Sequence, residues 1–308
     1  MEHFVTLFNS LFLPQGLALH ASMERHIRDY VLWILCVDDE AYDVLGCLDL
    51  PNVQLLKLSE LESADLLSVK KNRTIAEYCW TLTPFAPRFV FEANHSVERV
   101  TYIDADLWFL RSPKKIFDEL DVSGKHVLIT DHGYSPEYDQ SAFSGQYCVQ
   151  FLIFTRSGGE VVRQWWEDRC IEWCFDRLEN GKFGDQKYLD HWPERFGDLV
   201  HVLQDCQLTL APWNASRFPY SGGIFFHFHG LRLISQRKVE TSNYYLPFVL
   251  RKYVYAPYLQ DLRDAIGRIV LAGFSFVPQT KRTSSVRRFL RRLKSKVWPL
   301  FVDSQQSF

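Results

Sequence analysis

Short apolar runs alternate with amphipathic stretches along the first two-thirds of the chain. His3 to Phe8, Tyr30 to Val37 and Val53 to Leu58 are dense in aliphatic and aromatic residues and predict buried strands. Between them, Gln15 to Ile27 carries helical spacing through Leu17, Ala21 and Glu24, and a shorter helix is predicted around Glu40 to Cys47. Ser63 to Lys71 and Ile75 to Asn94 also read as helical, the second broken by Pro84 and Pro87. Further strands are predicted at Arg99 to Ile103, at His126 to Ile129 ahead of Asp131, at Tyr147 to Phe154, and in the aromatic run from Ile224 to Phe228. Ser157 and Glu160 have capping-box spacing and predict the start of a helix through Trp165, Trp166, Cys170, Trp173 and Cys174. Those tryptophans recur at helical spacing, which predicts core packing rather than a sugar-stacking face. Strands alternating with helices predict an α/β fold with a mainly parallel central sheet covered on both faces.

The chain has 308 residues, 47% hydrophobic and 23% charged, enough to bury a large core. No apolar run is long enough to span a membrane, and the start shows no signal-peptide pattern. The seven cysteines include no Cys-x-x-Cys and sit mainly in apolar segments, so a reduced, cytoplasmic setting is expected. The net charge of −2 conceals an asymmetry: residues 281 to 298 hold eight Lys or Arg and no acid, which leaves the rest of the chain at −10. From Ser284 to Phe301, Val286, Phe289, Leu290, Leu293 and Val297 keep helical spacing among those basic residues. That profile predicts an amphipathic helix lying on an anionic membrane surface, at its inner face. Nucleic-acid binding is disfavoured, because the acidic body offers no matching basic surface. The expected organisation is a catalytic domain over 1–240, a helical extension over 241–280, which carries apolar spacing but no legible chemistry, and the basic tail over 281–308.

The strand Arg99–Ile103 leads into Asp104-Ala105-Asp106. In an extended chain, side chains two apart face the same way, so both carboxylates would converge while Ile103 and Leu107 pack oppositely. Two like charges among apolar neighbours repel and are poorly solvated, and a divalent cation relieves both problems. Mg²⁺ is usually held by one or two carboxylates together with substrate phosphates. Asp104 and Asp38 follow predicted strands, where ligands of parallel α/β sheets bind.

Two further pieces accompany the Asp pair: Gly184-Asp185-Gln186 after the Asn180-Gly181 turn, and His227-Phe228-His229-Gly230 after the aromatic strand. In this order the three resemble the nucleotide-sugar glycosyltransferases of GT-A fold, most closely the family 8 type of retaining bacterial enzymes, over about residues 3 to 235. The resemblance implies that Asp104, Asp106 and His227 hold Mn²⁺ or Mg²⁺, with His229 as a rival for His227. An imidazole ligand favours manganese. It further implies a nucleotide-sugar donor, expected to be a UDP-hexose, with Asn9, Ser10 and Asp38 near the base and ribose. Gly230 would let the backbone approach the diphosphate, and Arg232 would clamp phosphate. Asp131 would contact the donor sugar, Asp185 sugar hydroxyls, and Gln186 the developing positive charge at the reacting carbon.

The expected acceptor is a glycan or lipid-linked glycan of a cell-surface polysaccharide, for instance lipopolysaccharide. One stretch departs from the family pattern: Tyr147-Cys148-Val149-Gln150 stands where Asn-x-Gly is usual. Gln150 is expected to crowd the sugar while leaving the metal site untouched. A sugar-nucleotide nucleotidyltransferase is the first alternative, but Asn9-Ser10-Leu11-Phe12-Leu13-Pro14 is not its glycine-rich phosphate loop. A non-catalytic membrane-bound scaffold is the second.

Overall fold

The structure, a computed structural model, describes residues 1–235, 238–242 and 244–278, together with the backbone of 296–299. Its strands in chain order are β1 Glu2–Phe8, β2 Tyr30–Cys36, β3 Val53–Lys57, β4 Arg99–Ile103, β5 Leu107–Phe109, β6 Val127–Asp131 and β7 Tyr147–Thr155. They continue with β8 Val200–Val202, β9 Thr209–Leu210, β10 Phe225–His227, β11 Arg232–Ser235, β12 Lys238–Thr241 and β13 Lys296–Pro299. Seven of them build the central sheet in the order β3-β2-β1-β4-β7-β6-β8.

All neighbours in that sheet run parallel except at β7, which is antiparallel to both β4 and β6. The mainly parallel sheet expected from the sequence is therefore present, with one reversed strand inside it. Reversal brings the beginning of β7, residues 147 to 150, to the edge where β1, β2, β4 and β6 end. Alternation along β1 shows why the sheet is buried on both sides. Phe4 and Phe8 enter one core, with Leu17, Phe109, Ile153 and Phe225, while Val5 and Leu7 enter the other, with Phe89, Tyr102, Leu152 and Trp166.

The helix predicted over 75–94 is two helices, Ile75–Leu82 and Phe85–Ala93, parted at Pro84, while Pro87 sits in the second helix's first turn. Thr74 and Glu77 close a capping box on the first. The capping box expected at Ser157 and Glu160 does not form: that helix, Arg156–Glu172, starts two residues earlier with Thr155 at its cap and no side-chain capping bond. Trp166 is buried in the core as its spacing predicts, whereas the helix ends at Glu172, so Trp173 and Cys174 are buried just beyond it and not on it.

Two further pieces bear on the site. A small sheet, β5-β10-β9, stands beside the ends of the central strands. The helix Ala256–Leu271 packs against the helix Leu13–His26, and its Tyr258, Leu262 and Ile266 join the same core as β1. The amphipathic helix expected over 284–301 lies outside the described residues except at 296–299. There the backbone is a strand antiparallel to β12, so helix is corrected to strand at those four residues. Among the described residues no helix is long and apolar enough to cross a membrane.

Candidate active site

Asp104 and Asp106 converge by a turn, not by the strand alternation expected. The amide of Leu107 donates to the carbonyl of Asp104 at 3.1 Å, which closes the chain between β4 and β5 and swings both carboxylates to one side. Ile103 and Leu107 are buried behind it. The histidine arrives by strand pairing. β5 and β10 are antiparallel with Leu107 opposite His227, and the amide of Phe228 donates to the carbonyl of Asp106 at 2.9 Å. Register thus places His227 beside Asp106: its Nε2 is 3.1 Å from Asp106 Oδ1 and 3.7 Å from Asp104 Oδ2. Ligand-capable atoms of Asp104, Asp106 and His227 all lie within 4.8 Å of one another. Their side chains are 27%, 18% and 6% exposed, so the imidazole closes the floor while the carboxylates keep an open side. His229 stays out of this cluster. Its ring stands 5.6 Å from that of His227 at an interplanar angle of 83° and reaches solvent.

The electrostatics of the cluster favour positive charge between the two carboxylates. Burial pushes Asp104 up to about 6, with the Asp106 carboxylate adding to it and His227 opposing. Burial also raises Asp106, but the charge and hydrogen bond of His227 outweigh it and hold that carboxyl below its usual range. His227 is lowered by burial and raised more strongly by Asp106, Asp104 and the Cys148 thiol, so it sits well above the usual imidazole value. An imidazolium between two carboxylates occupies, in charge, the place a cation would take.

Gln150 overturns one expectation. It is completely buried, and its Oε1 lies 2.8 Å from His227 Nδ1. An amide oxygen only accepts, so Nδ1 carries a proton and Nε2 faces the carboxylates. The backbone carbonyl of the same residue accepts from the amide of Asp104 at 3.1 Å. Gln150 therefore touches the Asp104–Asp106–His227 cluster directly instead of leaving it alone. Side-chain contacts around a ligating histidine fix its tautomer and orientation. The Tyr102 hydroxyl similarly donates to Asp104 Oδ1 at 2.9 Å.

Asp185 occupies the cap position of the short helix Gln186–His191, but its carboxylate makes no capping bond there. It is buried beside Thr83, and burial together with the nearby Asp104 pushes it up to about 8. Trp166 Nε1 donates to the Asp185 carbonyl at 2.8 Å and anchors the segment. Gln186 donates from Nε2 to the carbonyl of Ser144 at 2.8 Å, which fixes the amide with its oxygen on the other side. Gly184 has φ +52 and packs against Trp80, a conformation that favours glycine.

The remaining predicted residues lie along the same sheet edge without joining the cluster. Both oxygens of Asp38 accept from the Ser10 amide, at 3.1 and 3.0 Å, and Oδ1 also caps the helix Asp39–Leu48 through Ala41. Asp38 and Ser10 thus tie the ends of β1 and β2 together. Asn9, at the cap of a short turn, makes no side-chain capping bond. Asp131 ends β6 and accepts from the Gly133 amide at 2.7 Å and from Gln146 Nε2 at 2.9 Å. Gly230 turns the chain with φ +76 just after His229, and Arg232 is exposed at the start of β11.

Sequence reading missed an aromatic hub. Trp213 meets His132, His227 and His229 edge to face at 5.1, 5.3 and 5.4 Å, and its Nε1 donates to the His132 carbonyl at 2.8 Å. Tyr134 stacks on His132 at 4.5 Å. The only sequence signal was an isolated tryptophan after Pro212.

No family model matches the chain. It is 31% identical over 288 residues to the uncharacterized protein YfnD of Bacillus subtilis, covering 87% of this chain and 90% of that one. It is 32% identical over 275 residues to YfnF of the same organism, covering 81% and 89%. The chain belongs to the family of YfnD and YfnF. Among solved structures, the glycosyltransferase GlyE of Streptococcus pneumoniae TIGR4 superposes with a TM-score of 0.53 at 16% identity, covering 91% of this chain and 67% of that one. The architecture of this YfnD/YfnF relative is thus the GT-A fold.

Proposed function

We propose that this YfnD/YfnF relative is a metal-dependent glycosyltransferase that moves a hexose from a nucleotide sugar, a UDP-hexose by preference, to a glycan or lipid-linked acceptor. The observation that carries this reading is the convergence of Asp104, Asp106 and His227 at the carboxyl edge of the sheet, with the carboxylate side open. Two carboxylates and one imidazole suit Mn²⁺, whose preferences accommodate nitrogen better than those of Mg²⁺. Held there, the cation would neutralise the nucleoside diphosphate as it leaves.

The chain's own residues supply the rest. Gln150 and Tyr102 hold the ligands in place, so little reorganisation is needed when the donor binds. Asp185, whose carboxyl burial pushes up to about 8, would hydrogen-bond sugar hydroxyls. A retaining course, in which the departing phosphate takes the acceptor's proton, would need no strong protein base. Gln186 directs its amide oxygen toward positive charge developing at the reacting carbon. Asp131 would meet the donor sugar, Asn9 and the Ser10–Asp38 pair the nucleoside, and Gly230 and Arg232 the diphosphate. Residues 1–240 would form the catalytic unit, supported by the 241–280 extension. The basic residues of 281–308 would hold the enzyme at an anionic membrane. Gln150, which stands where the family usually has glycine, holds His227 in place, which speaks for chemistry over a non-catalytic scaffold.

The test is calorimetric titration of UDP into wild type and an Asp104→Ala/Asp106→Ala variant, with and without Mn²⁺. Binding that requires the metal and is lost in the variant supports the proposal. Metal-independent binding would remove the metal from it, and failure of UDP and every other nucleoside diphosphate to bind would remove the nucleotide sugar.

A further inference from the structure

A second surface stands outside the site, on the segment after β12. Tyr245, Phe248, Val249 and Tyr253 are 61%, 51%, 44% and 49% exposed, an unusual density of bare apolar side chains for nine residues. Helical winding from Phe248 through the wider turn Arg251–Tyr255 explains the division of faces. Leu250, Val254 and Tyr255 point into the core, and Phe248, Val249, Lys252 and Tyr253 point out. The exposed Arg251 and Lys252 interleave with the rings: Arg251 lies 5.9 Å from the Phe248 centroid and Lys252 lies 5.1 Å from that of Tyr253. Tyr253 also stacks on Tyr220 at 5.6 Å, which brings the loop 216–221 and its exposed Arg217 alongside. Neither 216–221 nor 244–255 contains an acid.

We infer that this face docks on an anionic lipid surface. Two observations select that occupant. Aromatic and aliphatic side chains interleaved with Arg and Lys match the boundary between acyl chains and negative headgroups. The face also carries Arg217, Arg251 and Lys252 on a body at −10 outside the basic tail, and although Glu137 and Asp139 stand at its border beside Tyr138, the face itself attracts negative charge. A basic partner molecule is disfavoured by like charge. The face also borders the candidate site. The Tyr245 amide donates to the Tyr138 hydroxyl at 2.9 Å, and Tyr138 and Tyr244 pack on the cluster of Trp213, which touches His227. A docked molecule would therefore hold that flank of the site close to the membrane, where lipid-linked acceptors lie. This last step rests on the proposed glycosyl transfer; the docking does not, and the measurement below reads docking alone.

The experiment is co-sedimentation of the full chain with vesicles of phosphatidylcholine alone or mixed equally with phosphatidylglycerol. Variants are Phe248→Ser/Tyr253→Ser, Arg251→Glu/Lys252→Glu, and a tail variant with Arg287, Arg288, Arg291 and Arg292 changed to Ser. All changed side chains of the face are exposed, and a circular dichroism melt confirms folding. The wild type is expected to pellet only with the mixed vesicles and to be released by salt. Each face variant is expected to bind more weakly, the charge reversal by at least about twenty-fivefold, since losing each of two basic residues at such a surface costs about a factor of five. The tail variant is expected to retain measurable binding that the added face changes abolish. Face variants that pellet like wild type would overturn the inference. So would absence of binding to any vesicle, or a self-association in light scattering that Phe248→Ser/Tyr253→Ser removes, which would assign the face to a second copy.

Discussion

Trp108 Nε1 donates a hydrogen bond to Asp261 Oδ2 at 2.7 Å, so the strand that leaves the Asp pair is fastened to the helix Ala256–Leu271, 153 positions away. Arg25, from the helix Leu13–His26, pairs with the same carboxylate and lies over the Trp108 ring. Asp261 thereby joins three elements beneath the site. Asp261→Ala is expected to destabilise the protein by about 1.5–3 kcal/mol, the range for hydrogen bonds to charged groups. Asp261→Asn, which can still accept from Trp108, should cost less. Urea unfolding of the two variants checks the ranking, and equal losses would show that the arginine, not the indole, carries the stability.

Gln150 gives a prediction about the metal that does not depend on turnover. Gln150→Leu is close in volume but cannot accept from His227 Nδ1, and it is expected to weaken Mn²⁺ binding roughly ten- to a hundredfold. Gln150→Glu keeps the acceptor and should retain most of the affinity. Titration followed by Mn²⁺ electron paramagnetic resonance measures both, and unchanged binding in the leucine variant would remove Gln150 from the site.

The pH dependence follows from the carboxyls. Asp185 is pushed up to about 8 and Asp104 to about 6, each chiefly by burial. In the unfolded chain both lose their protons near pH 4. Between those values the folded protein binds more protons, so metal-free stability falls as pH rises through about 4 to 8. His227, raised by its carboxylate partners, acts with the same sign above its ordinary value, while the lowered Asp106 acts oppositely at the acid end. A cation can replace those protons. The rise in Tm on adding Mn²⁺ should accordingly be larger at pH 8 than at pH 6, and a gain that shrinks with pH would contradict this account.

At Gly230 the backbone itself is the constraint. Its φ is +76, and a Cβ there would stand 3.2 Å from that of Ser242. Gly230→Ala is expected to cost about 1–2 kcal/mol in stability through the left-handed conformation alone. If Gly230 also lies against the diphosphate, UDP affinity should drop beyond what stability explains. Melting curves and UDP titration on the same variant separate the two effects.

The sequence made the local features readable and left the non-local ones hidden. Apolar runs such as Tyr30–Cys36 and the proline break at Pro84 follow from composition and backbone chemistry over a few residues. The Asp pair and His227 were legible because their residue types and order carry chemistry. The reversal of β7 was not, since Tyr147–Phe154 has the same apolar texture whichever way it runs. Gln150 was misjudged for a related reason. Its partner lies 77 positions away, and only strand pairing reveals that a bulky amide faces an imidazole and not a sugar. Trp213 and His132 escaped because they meet the site from loops with no periodicity to read. The helix expected at the tail met a different limit, for at 296–299 pairing with β12 overrides the spacing of Val297.

Gln150 grips two residues of the candidate site at once, Asp104 through its backbone carbonyl and His227 through its side chain. The gap between a carboxylate and an imidazole carried on distant segments is thus gauged by the length of one glutamine. A relative could keep Asp104, Asp106 and His227 unchanged and still favour an ion of another radius by shortening or lengthening that single residue. Under the proposed metal role, position 150 would then help decide which ion the triad holds.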